Sequence, residues 1–116
     1  MTNVDSLRIY KLSKEGVKKI YQLTKDTTLR KDYSLCDQIR RASISISANI
    51  AEGYGRRTKK DFANFVSVSM GSCNEVICFL ELINDLYNIP VEEEINFYKQ
   101  LANQIWSFRK SLLQQS

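Results

Sequence analysis

Apolar and small residues recur in steps of three and four along the second half of the chain, which is the spacing of one side of a helix. This stripe consists of Phe62, Val66, Ser69, Cys73, Val76, Leu80, Ile83 and Tyr87. Thr58, followed three residues later by Asp61, resembles a capping box before the stripe, and Pro90 follows it. The pattern predicts one long amphipathic helix over residues 59–88.

The same spacing predicts three further helices. Their ranges are residues 6–25, 34–54 and 92–113. Ser34 is a candidate N-cap for the second of them, and Gly53 and Gly55 are candidate stop signals at its end. Four helices joined by short links predict an all-α fold, an antiparallel up-down-up-down four-helix bundle in which residues 1–116 form a single domain.

The stretch RRASISISANIAEGYGRR, residues 40–57, tests this interpretation. Its serines and isoleucines alternate over residues 43–47, which by itself favours a strand. A longer pattern overrides the alternation, because one row of apolar and small residues extends over five helical turns. The row is Leu35, Ile39, Ala42, Ile46, Ile50 and Gly53. The stretch is therefore predicted to be helical.

This second helix has a further apolar face, formed by Ile44, Ala48 and Ala51 on the side opposite the main row. A helix with two apolar faces is expected to pack against other elements on both of them. In a bundle of four helices, the neighbouring helices cover only one of the two faces. We therefore predict that this face contacts another subunit. The alternative is that these are isolated apolar surface residues, which are common.

A polar row lies between the two apolar faces. It consists of Gln38, Arg41, Ser45, Asn49 and Glu52. It is either a solvated edge or a hydrogen-bonded seam that sets the register between helices or subunits. Antiparallel packing of the second and third helices brings Arg41 near Glu75, so we predict an ion pair there and include Glu75 in the seam.

Small residues occur where these two helices are expected to face each other. Residues 42–48 lie beside roughly residues 67–73, and both segments are rich in serine, alanine or glycine. Small residues allow helix backbones to approach closely. Gly71 costs about 1 kcal/mol relative to alanine within a helix, and close approach at this position is the predicted reason for it.

The amino-acid composition disfavours several kinds of site and fold. The chain has no histidine, one proline and three cysteines without a CxxC spacing, so a zinc site, a disulfide framework and an all-β fold are disfavoured. We predict no metal and no cofactor. No signal-peptide core and no membrane-spanning apolar run are evident, so a soluble, cytoplasmic protein without membrane association is expected.

The formal net charge of +4 permits an anionic partner. The candidate nucleic-acid-binding residues are Arg40, Arg56, Arg57, Lys59 and Lys60. All but Arg40 cluster near the turn between the second and third helices, where clustered cations can neutralise phosphates. The alternative is a solvated turn whose cations form ion pairs between subunits.

Two segments also resemble a known family. They are QIRRASISISANIAEGYGRRTKKDF, residues 38–62, and FVSVSMGSCNE, residues 65–75. They resemble the four-helix-bundle family named for proteins encoded in 23S rRNA intervening sequences. The matching positions are Gln38, Ile39, Arg40, Arg41, Ala42, Ser45, Ile46, Asn49, Ile50, Ala51, Glu52, Gly53, Gly55, Arg56, Phe62, Gly71, Ser72 and Glu75. LRIYKLSKEGVKKIYQLTK, near the N-terminus, fits the family's first helix.

The resemblance implies a bundle that assembles as a ring-shaped homopentamer, and it implies no agreed activity. The family is often labelled ribosome-associated because of where some of its genes lie. A related group, the accessory variability proteins of diversity-generating retroelements, resembles a basic pentameric scaffold that contacts nucleic acid and a reverse transcriptase.

The leading hypothesis is therefore a non-catalytic oligomeric scaffold that binds RNA or DNA through the basic residues near the turn. The alternative is an adaptor for a protein partner without nucleic-acid binding. An enzyme is disfavoured because the commonest general base, histidine, is missing, and because no Walker loop or Rossmann fingerprint occurs.

Overall fold

The computed structural model describes residue 4 and residues 7–115. Its four α-helices are α1 (Arg8–Leu23), α2 (Tyr33–Tyr54), α3 (Lys59–Tyr87) and α4 (Glu92–Gln115), and a short 3₁₀ helix (Leu29–Lys31) precedes α2. No strand occurs in these residues, so the prediction of an all-α, four-helix chain is confirmed. The predicted start of the first helix at Ser6 lies outside the described residues.

The helices pack as an antiparallel bundle 47 Å long and about 20 Å wide. Helix α2 packs against α1 and α3, and α4 packs against α3 and α1. The core is built from the predicted stripes, because their residues lie on the inward side of each helix. Its largest fully buried side chains are Tyr98, Ile20, Leu29, Ile39, Ile46, Ile50, Leu80, Ile83, Leu101, Ile105, Val66 and Val76.

The start of α2 differs from the prediction. Asp32, not Ser34, is the N-cap, and its Oδ1 accepts a hydrogen bond from the Leu35 backbone N–H at 3.1 Å. Ser34 already lies in the first helical turn, where its side chain cannot cap. Asp32 Oδ2 also accepts a 2.6 Å hydrogen bond from the Tyr87 hydroxyl, which joins the start of α2 to the end of α3.

Both ends of α3 follow local rules. At the start, Thr58 Oγ1 accepts a hydrogen bond from the Asp61 backbone N–H at 3.0 Å, as the capping-box pattern predicts. At the end, Asn88 adopts the left-handed conformation with φ 54°. Asparagine tolerates this conformation better than most residues, and Pro90 two residues later prevents the helix from resuming.

Hydrogen bonds between serines and α2 confirm the predicted register of α2 and α3. The buried Ser69 hydroxyl donates to the Ile46 carbonyl at 2.8 Å, and the Ser72 hydroxyl donates to Ser45 Oγ at 2.9 Å. Such short side chains bring their hydroxyls to the neighbouring backbone only where the two helices lie close together. The predicted small-residue contact is therefore real.

The proposed role of Gly71 is wrong. Gly71 is exposed, and a Cβ built there meets no atom within 4 Å. The close approach occurs at Gly53 instead, where a Cβ would lie 2.7 Å from both Phe62 Cδ1 and Phe65 Cβ. The prediction failed because it located Gly71 by its position along α3 and not by the side of the helix to which it belongs.

Helix α3 is unusually apolar. Of the described helices, it alone is long and apolar enough to cross a membrane by length and composition. Its inward side forms the bundle core with α2 and α4, and a core helix of a soluble protein passes the same test. Only 39% of its most apolar 18-residue window is buried, so part of its apolar surface lies outside the core of one protomer.

Candidate nucleic-acid interface

The turn between α2 and α3 gathers the predicted cations Arg56, Arg57, Lys59 and Lys60, and all four are exposed. Arg56 is partly engaged, because its guanidinium forms a 2.6 Å ion pair with Glu52 and lies 4.6 Å from the centroid of the Phe65 ring. The other three form no side-chain hydrogen bond or ion pair within the described part of the chain. They are free to contact a ligand.

The fold brings three further cations to the same end of the bundle. Packing of the Phe62 and Phe108 rings, 5.4 Å apart between centroids, places the last turns of α4 beside the start of α3. The start of α1 is joined to α4 by a 3.0 Å hydrogen bond from Arg8 Nε to Gln104 Oε1. We call this the basic end, and its cations are Arg8, Arg56, Arg57, Lys59, Lys60, Arg109 and Lys110.

Sequence spacing could not reveal this gathering, because Arg8 and the α4 cations are distant in sequence from the turn. The described acidic residues at this end are Glu52, which is paired with Arg56, and Asp61 in the first turn of α3. The cations therefore outnumber the carboxylates. A surface of this kind attracts phosphate groups and loses affinity for them as salt increases.

Arg40 does not belong to the basic end. It lies on α2, 14 residues before the last helical residue, Tyr54, which is about 21 Å at 1.5 Å per residue. Its Nε donates a 2.9 Å hydrogen bond to Thr24 Oγ1, and its guanidinium lies 4.4 Å from the centroid of the Tyr21 ring. The structure therefore separates Arg40 from the four other predicted nucleic-acid-binding residues.

The predicted polar seam contains hydrogen bonds, but not the expected ion pair. Asn49 Nδ2 donates to both the carbonyl and the hydroxyl of Ser45. Arg41 forms its 2.8 Å ion pair with Asp37, one turn earlier on α2, and not with Glu75. A partner at i−4 on the same helix is always within reach, whereas the residue on α3 is reached only if both side chains extend towards each other.

The remaining seam residues lie at the surface. Gln38, Arg41 and Glu75 border one hollow of about 280 Å³ between α2 and α3. Arg41 and Glu75 thus share a neighbourhood, as the register implies, without pairing. Among the described residues Glu75 forms no ion pair, and Glu52 pairs with Arg56.

The predicted oligomer face remains accessible in one protomer. Ile44 is 43% exposed, Ala48 is exposed and Ala51 is half-buried.

A second such face was missed from the sequence. The outer face of α3, as we call it, comprises Val68, Gly71, Glu75, Cys78, Leu82 and Leu86, all exposed and spaced by three or four residues. Its signal in the sequence is a scarcity of charge, because only Glu75 and Glu81 are charged between Asp61 and Asp85.

Two of the three cysteines, Cys36 and Cys73, are buried. Burial raises the pKa of Cys73 to about 12, and burial also raises the pKa of Cys36. Both thiols are therefore protonated at neutral pH, which disfavours a nucleophilic role. No group of three or more metal-ligating side chains occurs in the described residues.

Two comparisons with known proteins give matches. The model of the 23S rRNA-intervening sequence protein family matches residues 5–109. A crystal structure of a Bacteroides thetaiotaomicron protein of unknown function, from the S23 ribosomal protein family, superimposes with a TM-score of 0.78 and 25% sequence identity. The match covers 88% of this chain and 95% of that one. No curated protein matches the chain.

Proposed function

Since the chain belongs to the 23S rRNA-intervening sequence protein family, we propose that it is a non-catalytic, self-assembling scaffold that binds RNA or DNA. The observation that carries the proposal is the basic end. Seven cations from three helices and one turn converge there, and one of the two described carboxylates is already paired with Arg56. Such a cluster binds phosphates by charge, with little preference for sequence.

Self-assembly is supported by the two exposed apolar faces. Val68 and Leu86, on the outer face of α3, are 51% and 63% exposed, and Ile44 on α2 is 43% exposed. Apolar surface of this kind is ordinarily covered by another protein surface. We propose that copies of the chain cover it and form a ring of five, in which each basic end is repeated around the axis and weak phosphate contacts add by avidity.

The test is a salt titration of the binding of a fluorescently labelled oligonucleotide, followed by anisotropy. The variant Arg57→Gln/Lys60→Gln removes two exposed charges without disturbing the Arg56–Glu52 ion pair. The matched control, Lys99→Glu, changes the net charge by the same two units at one exposed position away from the basic end.

We expect the first variant to bind more weakly and to show a salt slope smaller by about 0.7 for each lost phosphate contact to a single strand. The control should match the wild type apart from a small effect of net charge. Absence of binding by the wild type at low salt, or equal losses in both variants, would refute the role of the basic end. A protein partner that is retained after nuclease treatment would instead support the adaptor.

A further inference from the structure

A second cationic site lies at the opposite end of the bundle, where α1 is linked to α2. We call it the arginine–tyrosine corner, and its defining residues are Arg30, Tyr33 and Arg40. The three side chains line one hollow of about 540 Å³ together with Thr24, Ser34, Cys36 and Asp37. None of the basic-end residues borders it.

Arg40 is held in place before any ligand arrives. The hydrogen bond from its Nε to Thr24 Oγ1 and its position over the Tyr21 ring fix the guanidinium plane. Its two terminal nitrogens form no hydrogen bond within the described residues. A guanidinium fixed in this manner presents its remaining donors to an anion at little further cost in side-chain entropy.

The carboxylates of the corner are already engaged. Asp26 accepts hydrogen bonds from the backbone N–H groups of Thr28 and Leu29. Asp32 accepts from Leu35 and Tyr87, and Asp37 is paired with Arg41. Because none of them pairs with Arg30 or Arg40, these two charges remain available to an external anion.

Tyr33 adds an aromatic surface. It is 82% exposed, the largest exposed fraction among the large hydrophobic side chains of the described chain. It lies at the first position of α2, where nothing in the core requires an aromatic ring. An exposed ring beside a fixed arginine is the combination that binds an unpaired base and its phosphate.

Helix α1 connects the corner to the basic end. Its exposed side carries Lys11, Lys14 and Lys18, and Glu15 is its only acidic residue. The opposite side of the bundle is acidic, with Glu75, Glu81 and Asp85 on α3. A strand that lies along α1 therefore meets positive charge between the two ends of the bundle.

We propose that the arginine–tyrosine corner binds an unpaired nucleotide of a single-stranded nucleic acid, with the base on Tyr33 and the phosphate on Arg30 and Arg40. The proposal rests on the proposed function and deepens it, because it specifies a single strand and a stacking contact.

The experiment measures the binding of an oligothymidine of about 12 nucleotides, and of a duplex of the same length, to the full chain. We expect Tyr33→Ser to weaken single-strand binding by about tenfold, within the range measured for loss of one stacked base, and to leave duplex binding within about twofold. Tyr33→Phe should bind like the wild type, because it keeps the ring. Arg30→Gln should weaken binding more than its matched control Lys99→Gln.

Several outcomes would overturn the proposal. If Tyr33→Ser binds the single strand as tightly as the wild type, the arginine–tyrosine corner is not a nucleotide subsite. The proposed function would still stand in that case if the basic-end variant loses binding. If Tyr33→Ser loses equal affinity for the single strand and for the duplex, Tyr33 does not stack on an unpaired base. If free thymidine monophosphate competes as well as the strand at equal phosphate concentration, the corner is a mononucleotide site and not part of a strand path. If the wild type binds no nucleic acid, both proposals fail together.

Discussion

Two glycines on neighbouring helices have opposite surroundings. Gly53 on α2 faces the aromatic residues of α3, and a methyl group there would overlap Phe62 and Phe65. Gly71 on α3 faces open space. Both have helical backbones, and no described glycine has a positive φ, so conformational strain does not distinguish them. Their difference is purely one of packing.

Substitution of each glycine by alanine should therefore change stability in opposite directions. Gly53→Ala should lower the free energy of unfolding by about 1–3 kcal/mol, because the added methyl group overpacks the α2–α3 contact. Gly71→Ala should raise it by up to about 1 kcal/mol through helix propensity. Urea unfolding followed by circular dichroism measures both. A Gly53→Ala protein as stable as the wild type would contradict the packing described here.

Residue-level errors in the sequence interpretation have two different causes. The register of α2 and α3 was predictable, because core residues repeat with a fixed period and antiparallel helices are joined by a short turn. Two features were not predicted. One is the side of α3 on which Gly71 lies, and the other is the ion pair of Arg41 with Asp37 instead of Glu75. The predicted stripe already implies the first, because Gly71 lies between Ser69 and Cys73 and therefore off the stripe. The second depends on flexible side chains with several partners in reach.

At the level of elements, one hydrogen bond joins the start of α2 to the end of α3, between residues 55 positions apart in the sequence. The Tyr87 hydroxyl, in the last turn of α3, donates to Asp32, which also caps α2. The bond from Tyr87, followed by that from the Leu35 N–H, lowers the pKa of Asp32. The same bond to Asp32 raises the pKa of Tyr87. The start of α2 is thus fixed by one ionised carboxylate and one neutral phenol.

This pair should contribute to stability only within a window of pH. The lowered pKa of Asp32 means that its contribution is present above its unfolded pKa near 3.9 and is lost as the pH falls below it. The raised pKa of Tyr87 means that its contribution is present below about pH 10 and is lost as the pH rises further. Tyr87→Phe keeps the ring and removes the bond.

The melting temperature of Tyr87→Phe should therefore lie below that of the wild type by a constant amount between about pH 5 and 9, and the gap should narrow on both sides of this window. Tyr33→Phe, which alters an exposed tyrosine, is the matched control and should melt with the wild type throughout. A gap that does not depend on pH would show that the Asp32–Tyr87 bond is not responsible.

The four helices were predictable at this level, since every one carries a stripe of apolar residues several turns long. The helix ends were less so. Asp32 was overlooked because Ser34 is closer to the first apolar residue, and a sequence cannot show which of two polar residues two positions apart adopts the cap geometry. The arginine–tyrosine corner could not be predicted either, because it needs the link between α1 and α2 to fold back beside Arg40.

At the scale of the whole molecule, charge and apolar surface are distributed unevenly. The basic end and α1 are positive, whereas the outer face of α3 is mostly apolar and carries one charge, Glu75, with Glu81 and Asp85 elsewhere on the same helix. A protomer of this kind can associate through one side while it leaves another free for an anionic ligand. The proposed scaffold uses both properties at once.

The outer face of α3 can be tested by adding a charge to it. Val68 and Trp106 are each 51% exposed, so Val68→Lys and Trp106→Lys introduce the same group at equally accessible positions. We expect Val68→Lys to reduce the mass of the assembly in light scattering, because a lysine cannot be buried unpaired at an interface. Trp106→Lys, on α4, should leave the mass unchanged. Equal behaviour of the two variants would mean that the outer face of α3 is not an interface.

The most direct test of the scaffold is the mass of the wild-type chain in solution, measured by light scattering with and without a single-stranded oligonucleotide at low salt. We expect a mass close to five times the 13.5 kDa of one chain, which increases when the strand is added and falls back when salt is raised. A mass of 13.5 kDa that does not change when the strand is added would contradict both the assembly and the binding.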